Sequence, residues 1–528
     1  MRPSALLCVA LMIGALAAAA NRAPQICRAT IQLVDAETGE SLSGVVQVFD
    51  ADGERLPLPQ LLSRGLGLNG DLPIHDWSVL PESATVELPQ GRLTFAAFSG
   101  LETERLTKTF DLSDSQEATI RLPLTRFYRR QQNDLVAGNT HLHIMKLSRA
   151  DCDRYLTEIP QADDLDVLFL SYLERVDADR EYTSNSYTRE DLAKLTAASG
   201  VVFGNGEEHR HNFTGFGQGY GHVMLLNIKE LIQPVSIGPG IMKTGTDGIP
   251  LTRGIQQAKR DGATTVWCHN VFGYEADPNW LLGRLDAMNI YDGGQRAGFK
   301  ERFYPLLNVG LKVPFSTGTD WFMYDLSRVY VRMQKATTVD NWLQALSTGR
   351  SFITNGPLFR FRVDTTEIGD TLELDRPGSV SVLGQVEGRT DFQRAELVHN
   401  GEVIASATTR PVGQHFLAEL KLTVPVDKPG WLALRIPPPN VTNKGPATPV
   451  NEFGRKLYGH TSPIYVEVDG RSAFDPKVAR TLLQKMKTAR SSIGKNGVFE
   501  DAQAKSRVLD VYDDATERLN ETLEQQGQ

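Results

Sequence analysis

The sequence is poor in cysteine, lacks long apolar runs and has no excess of positive charge. Its 528 residues hold four cysteines, Cys8, Cys27, Cys152 and Cys268, with no C-x-x-C pair. That spacing excludes a dense disulfide framework, a zinc knuckle and a thioredoxin-like motif. Beyond the first twenty residues no stretch reaches about 18 unbroken apolar positions, so no membrane span is expected. Lysine and arginine number 56 against 64 acidic residues, a formal charge of −8. A general nucleic-acid binder usually has a basic surface, so that class is set aside. There is neither an internal repeat nor an extended low-complexity tract. What remains is ordinary: 41% hydrophobic and 23% charged residues are globular proportions. The length suggests about three or four domains.

Residues 1–20 read as a secretion signal. Arg2 supplies the positive start, Ala5 to Ala17 is apolar, and Ala18-Ala19-Ala20 offers an A-x-A cleavage site. The expected location is therefore periplasmic or secreted. Cleavage would remove Cys8 and leave an odd number of cysteines.

Hydrophobic rhythm divides the rest of the chain. Over 24–125, short alternating strands such as ATIQLVD, GVVQVFDADG and ATIRLPL, joined by polar turns, predict a small β-sandwich. Over 126–357, apolar strands alternate with helices, which predicts an α/β domain. Its strand candidates are LVAGNTHLHI, LDVLFLSYL, GVVFGNGEE, GHVMLLNI, ATTVWCHNV and VPFSTGTDW. Thr188 with Asp191 resembles a capping box, and Gly200 is a stop signal. Over 358–470 the β pattern returns with an Asn400-Gly401 hairpin signal, predicting a second β-sandwich. Residues 471–528 read as a helical tail, with Asp475-Pro476 as N-cap and first helical position. The fold class is thus multidomain α/β plus β.

Six of the ten histidines fall in the α/β segment: His141, His143, His209, His211, His222 and His269. Their placement carries the argument. His141 and His143 close one strand, Glu208 another, His269 a third and Asp320 a fourth, while His222 opens its own. Strand C-termini converge on one rim in β/α barrels. On a strand, residues i and i+2 face the same side, so His141 and His143 can reach one metal ion. By the same alternation Glu207, His209 and His211 form a rival donor set on the opposite face from Glu208. Mixed imidazole and carboxylate donors admit Zn, Mn or Fe. His75, His399, His415 and His460 lie in β segments without partners and read as structural. Cys268 is expected to face away from His269 as a buried thiol. Arg328 and Lys146 are candidates for an anionic group, although surface ion pairing is the commoner role.

GNTHLHI, followed by GEE, GHVMLLN, WCHN and GTDW, resembles the PHP (polymerase and histidinol phosphatase) metallohydrolases. The nearer resemblance is to the CehA/McbA branch, the carbaryl-hydrolase-like proteins. SRVYV, ALSTGRSFITNGPL and GHTSPIYV extend it. The resemblance implies a distorted seven-stranded β/α barrel flanked by the two β-sandwiches. It implies His141 and His143 as the opening H-x-H, Glu208 as bridging carboxylate, then His222, His269 and Asp320. Three departures stand out: Phe322, Ser171-Tyr172-Leu173 and Arg149 occupy places where the family has histidine-bearing motifs of a third metal site. The implied centre is therefore dinuclear, with one ion on His141, His143, Glu208 and Asp320 and another on Glu208, His222 and His269. Tyr172 or Glu174 is a candidate replacement ligand.

Two close divalent ions lower the pKa of a bound water and stabilise an oxyanion. That chemistry suits a small-molecule phosphoester, or a carboxylic or carbamic ester. Glu208, His269 and Asp320 are the expected catalytic residues, with Asp320 placed to orient the nucleophile or carry a proton. Absence of a third site weighs against phosphatase activity. The alternative is a noncatalytic binding protein, possibly for carbohydrate, that uses the barrel as a scaffold.

Overall fold

In the computed structural model, residues 25–213, 219–240, 245–269, 273–295, 298–440 and 447–526 are described. The expected leader over 1–20 lies outside them. The chain is mixed α/β: a curled half-barrel sheet, several β-sheets and a helical C-terminus.

The N-terminal segment forms two sheets. Ile26–Asp35 pairs in parallel with Glu117–Leu124 and antiparallel with Ser83–Pro89. Gly44–Phe49 and Arg92–Phe98 centre the second sheet. Alternate residues point inward, so Ile31, Leu33, Val48, Phe95 and Ile120 share one apolar core.

Three parallel strands open the half-barrel: Leu135–His143, Val167–Tyr172 and Val202–His211. Their helical crossovers have sequence-encoded ends. Ser148 caps Arg149–Ala162. Thr188 and Asp191 make the reciprocal capping box of Arg189–Ser199, and Gly200 ends that helix at φ 75°. Gly221–Leu226 then runs antiparallel to the third strand, setting His222 opposite Arg210. Thr264–Trp267, Ala287–Asn289 and Phe315–Ser316 continue the curl. Asp320–Trp321 returns to pair with the first strand, Leu142 beside Asp320. The curl therefore brings the last ligand-type residue back to the first pair.

The ladder also runs outward. Arg328–Arg332 pairs with the first strand, Ser351–Thr354 with it, and Gly459–Thr461 with Ser351–Thr354. One sheet of the 358–470 segment is thus hydrogen-bonded to the half-barrel; the other contains Leu358–Val363, Gly378–Gly388 and His415–Val426. Asp475 caps Pro476–Asn496, accepting from the backbone N–H groups of Lys477 and Val478. That helix and Ala502–Gln526 bury Leu482, Met486, Val508 and Tyr512 in the core shared with the half-barrel. Among the described residues no helix is long and apolar enough to cross a membrane, and Cys27, Cys152 and Cys268 are free and buried.

Buried charge joins the N-terminal sheets to the half-barrel. Arg64 donates from Nε and Nη2 to both Asp163 oxygens, at 3.0 and 2.5 Å, and from Nη1 to the Met323 carbonyl at 2.6 Å. Arg130 grips Glu102, Asp164 and Asp166 at 2.7–3.1 Å. Asp166 in turn accepts from the Ala137 N–H at the start of the first strand. A buried pair that loses one partner leaves an uncompensated charge, at a cost of about 3–5 kcal/mol. Arg64→Ala should therefore lower unfolding stability by about that amount in a denaturant titration; a change under about 1 kcal/mol would show that the pair does not hold the two parts together.

Candidate metal centre

The half-barrel brings His141, His143, Glu208 and Asp320 together with one donor atom from each inside 4.8 Å of the others, all buried. The hydrogen-bond partners fix what these atoms present. His143 Nδ1 lies 2.9 Å from the Ser171 carbonyl, which only accepts, so Nδ1 carries the proton. His141 Nδ1 lies 2.8 Å from Asp292 Oδ2, so it too is the N–H. Asp292 is ionised: burial opposes this, but His269 and His141 hold its carboxyl well below the usual range. Both Nε2 atoms then expose lone pairs, and they stand 2.9 Å apart. Two lone pairs at that distance need a proton or a cation between them. Glu208 Oε2 is 3.2 Å from His143 Nε2 and 4.0 Å from His141 Nε2, and Asp320 Oδ1 is 3.4 Å from His141 Nε2 and 3.8 Å from His143 Nε2. With the 2.9 Å between the imidazoles, these separations bracket the about 3.3–3.6 Å that divides ligands about 2.0–2.2 Å from a tetrahedral ion. Asp320 Oδ1 is buried with no hydrogen-bond partner among the described residues, as expected of a donor reserved for an ion.

The other oxygen of Glu208 faces a second group. Its Oε1 is 3.1 Å from His222 Nδ1 and 3.2 Å from His269 Nε2. His269 Nδ1 is held by the Asp292 carbonyl at 3.3 Å, which again turns the Nε2 lone pair toward the carboxylate. His222 Nδ1 has no hydrogen-bond partner among the described residues. Glu208 therefore stands between two imidazole pairs, one oxygen to each.

The charge balance of the cluster follows. Burial opposes ionisation of Glu208, but Arg210, His143, His222 and His269 outweigh it and hold the carboxyl well below its ordinary value. Burial disfavours the charged form of His269 and His141, yet the facing carboxylates raise both. For His222, burial and Arg210 prevail and push the pKa down to about 3. Without an ion, the cluster collects protons on His141 and His269.

Backbone strain concentrates here. His269, Tyr291, Asp320 and Phe322 all have positive φ, between 55° and 68°, a conformation that costs a non-glycine residue energy unless its surroundings enforce it. Phe322 N–H donates to the His143 carbonyl and Met323 N–H to the Tyr155 hydroxyl, while Arg64 holds the Met323 carbonyl. Gly293 lets the chain approach Asp320: a Cβ there would lie 2.5 Å from Oδ2.

The structure separates the rival set. Glu207 and His209 bond to one another at 2.9 Å, Glu207 also accepts from the Ile232 N–H, and His211 meets Asp247 at 3.0 Å. Strand alternation puts them behind the sheet. Cys268 corrects an expectation: its sulfur lies within 4.8 Å of donor atoms of Glu208 and His269. Alternation does not apply there, because the strand ends at Trp267 and His269 has φ 63°. Burial, then the charges of Glu208, Asp292 and Asp320, push this thiol well up. Arg328 is buried and donates to the backbone carbonyls of Leu326 and Asp163, so it is structural; Lys146 is exposed. Tyr172 donates to Glu174, which pairs with Arg180. Phe322 packs on Gly67 and Tyr155, and Arg149 pairs with Asp153 and Asp191. His460 accepts from or donates to Tyr304 at 2.8 Å, and His415 pairs with Glu104 at 2.9 Å.

Asp292 escaped the sequence reading. It orients His141 through Oδ2 and accepts the His269 N–H through Oδ1 at 2.9 Å. The signal was present, an acid just past the short strand Ala287–Asn289, but a three-residue strand gives too little periodicity to be seen.

No family model and no curated protein matches the chain. Among solved structures, it is similar to a two-domain protein from Bacteroides vulgatus containing a predicted PHP-like metal-dependent phosphoesterase. Identity is 11% and the TM-score 0.31, over 63% of this chain and 95% of that one. It is also similar to a Parabacteroides merdae β-glucuronidase, at 10% identity and a TM-score of 0.18, over 83% of this chain and 60% of that one. Likeness of this extent carries no argument about function.

Two outcomes are expected of the cluster itself. Asp292→Asn should weaken metal uptake by about 10–100-fold, as loss of a carboxylate that orients a ligand histidine does elsewhere; unchanged affinity for Zn or Mn by calorimetry would remove Asp292 from the centre. Since His141 and His269 have raised pKa values, protons compete with the ion. Chelator-stripped protein should bind Zn more weakly at pH 6 than at pH 8 and release protons on binding; equal affinity at both would contradict the tautomers assigned above.

Proposed function

We propose that this chain is an exported metal-dependent hydrolase of the PHP type, of the CehA/McbA branch, acting on small-molecule ester or phosphoester substrates. The observation that carries the reading is the pair of imidazole lone pairs 2.9 Å apart, flanked by the carboxylates of Glu208 and Asp320. A proton or a cation must lie between them, and the two flanking carboxylates add the donors that a cation needs. In the proposed arrangement the flanking sheets are two β-sandwiches around a distorted seven-stranded barrel. One ion of Zn, Mn or Fe is held by His141, His143, Glu208 and Asp320, and the other by Glu208, His222 and His269.

When bound, the two divalent ions supply an acidified water and positive charge for the oxyanion of the transition state. The chain's own residues do the rest. Glu208 spaces the two donor groups through its two oxygens. Asp292 fixes the tautomer of His141 and the backbone of His269, so that both present lone pairs. Asp320, with side-chain exposure of 10% against 1% for Glu208 and 0% for Asp292, is the most exposed carboxylate of the cluster. It is the group placed to accept the proton of the attacking water and pass it to the leaving oxygen.

The test is metal content per chain of protein purified without chelators, beside turnover on a panel of esters and phosphoesters. About two ions per chain are expected, and Glu208→Gln or Asp320→Asn should lower turnover by at least about 100-fold. Protein that takes up no Zn or Mn even after reconstitution would overturn the reading and leave the barrel a scaffold for binding.

A further inference from the structure

Among the described residues, Cys268 is the cysteine grouped with metal-type donors, while Cys27 and Cys152 pack in apolar cores. The scheme above gives it no task. Its place is set across the ladder. Arg210 stands opposite His222, and Val223 opposite Trp267. One step further, the Cys268 N–H donates to the His222 carbonyl at 3.2 Å, so these two residues form the next cross-strand pair. Residues paired in this way share a face of the sheet, with Cβ atoms about 4.5–5.5 Å apart. Glu208 lies two residues before Arg210 on its strand and shares that face. His269 joins them through its positive φ of 63°, which puts two consecutive residues on one side. Strain of that kind is characteristic of ligand clamps.

Without the thiol, the group around Glu208 Oε1 has three donors. His222 Nδ1 lies 3.1 Å from that oxygen and His269 Nε2 3.2 Å from it. The fourth place of a tetrahedral ion falls to water or to a further side chain. His222 is 2% exposed, and its Nδ1 is buried with no hydrogen-bond partner among the described residues. Cys268 is 1% exposed, and its sulfur lies within 4.8 Å of donor atoms of Glu208 and His269. We propose that Cys268 is the fourth ligand of the second ion, bound as thiolate, and that it makes this position thiophilic, so that it takes Zn in preference to Mn. This rests on the metal-centre reading above. Sulfur is a soft donor that suits Zn, whereas Mn prefers carboxylate and water. The first position, with nitrogen and oxygen donors, lacks this preference. On uptake the S–H proton leaves to solvent and a sulfur lone pair forms the bond to the ion, since a coordinating thiol is deprotonated outright. Nothing is oxidised or reduced.

The experiment uses chelator-stripped full-length protein, kept reduced and titrated with Co(II) as a spectroscopic stand-in for Zn. Wild type is compared with Cys268→Ser and with Cys8→Ala/Cys27→Ala/Cys152→Ala, in which Cys268 is the remaining thiol. A thiolate bound to Co(II) gives a near-ultraviolet charge-transfer band that nitrogen and oxygen donors do not. The expected result is that band in wild type and in the triple variant, saturating at about one Co per chain and abolished by Zn. Cys268→Ser should lose the band and hold Zn at the second position at least about 10–100-fold more weakly, the loss that even a partner of a ligand costs, with a smaller loss for Mn. Co uptake by wild type without the band, a band that survives Cys268→Ser, or equal losses for Zn and Mn would overturn the proposal. If Cys268→Ser does not fold, the band in wild type and in the triple variant decides. No Co uptake at all would overturn the proposal together with the hydrolase reading. The band in protein that turns over no ester would uphold the ligand while the hydrolase reading fails.

Discussion

A single buried carboxylate organises this molecule. Glu208 is 1% exposed, and its two oxygens face two different imidazole pairs. An ionised carboxylate in so dry a place is costly unless positive charge meets it. The surrounding residues are arranged around that demand: His143, His222, His269 and Arg210 all lie within 3.5 Å of it. The sheet curls so that its first, third and last short strands deliver donors to the same place. Every oriented tautomer in the cluster leaves a lone pair pointing inward, and only a cation or protons reconcile them.

The supporting structure is built to resist that convergence relaxing. Four non-glycine residues at or beside the cluster take left-handed backbone conformations, and such strain persists only where the surroundings over-determine it. The clamp comes from a distance. Arg64, on the N-terminal sheets, reaches the Met323 carbonyl just past the strained Asp320–Phe322 turn, while its other nitrogens are neutralised by Asp163. The N-terminal sheets thus buttress the loop that carries the fourth donor. The C-terminal helices pack into the core of the half-barrel, and the outer β segment is stitched on through a shared ladder.

The places where the sequence departs from the resembled family take a consistent physical form. Phe322 turns to apolar packing against Gly67 and Tyr155, and Arg149 becomes a surface ion pair on its helix. Ser171 keeps only a backbone task, offering its carbonyl to His143. Of the three, Ser171 leaves an orphaned group, its buried hydroxyl, which has no hydrogen-bond partner among the described residues. The chemistry concentrates instead around Glu208, where Arg210 and Asp292 add one positive and one negative group to the six residues legible in the motifs.

The sequence by itself determined the alternation of strands and helices, the helix ends at Thr188, Gly200 and Asp475, and the six donor-type residues, although Glu208 lies inside Val202–His211 and His269 two residues past Thr264–Trp267 rather than closing their strands. Those features are local: a cap needs one oxygen near one N–H, and two histidines at i and i+2 share a face wherever the strand goes. Which of Glu207 and Glu208 enters the cluster was decided by the curl of the sheet, since alternation separates the two without saying which face is inside. Cys268 turned toward the cluster because the strand stops one residue earlier and His269 adopts positive φ, a backbone choice that periodicity does not encode. Asp292 became visible only in three dimensions. Its partner His141 lies 151 residues away, and long-range contact is what a linear pattern cannot carry.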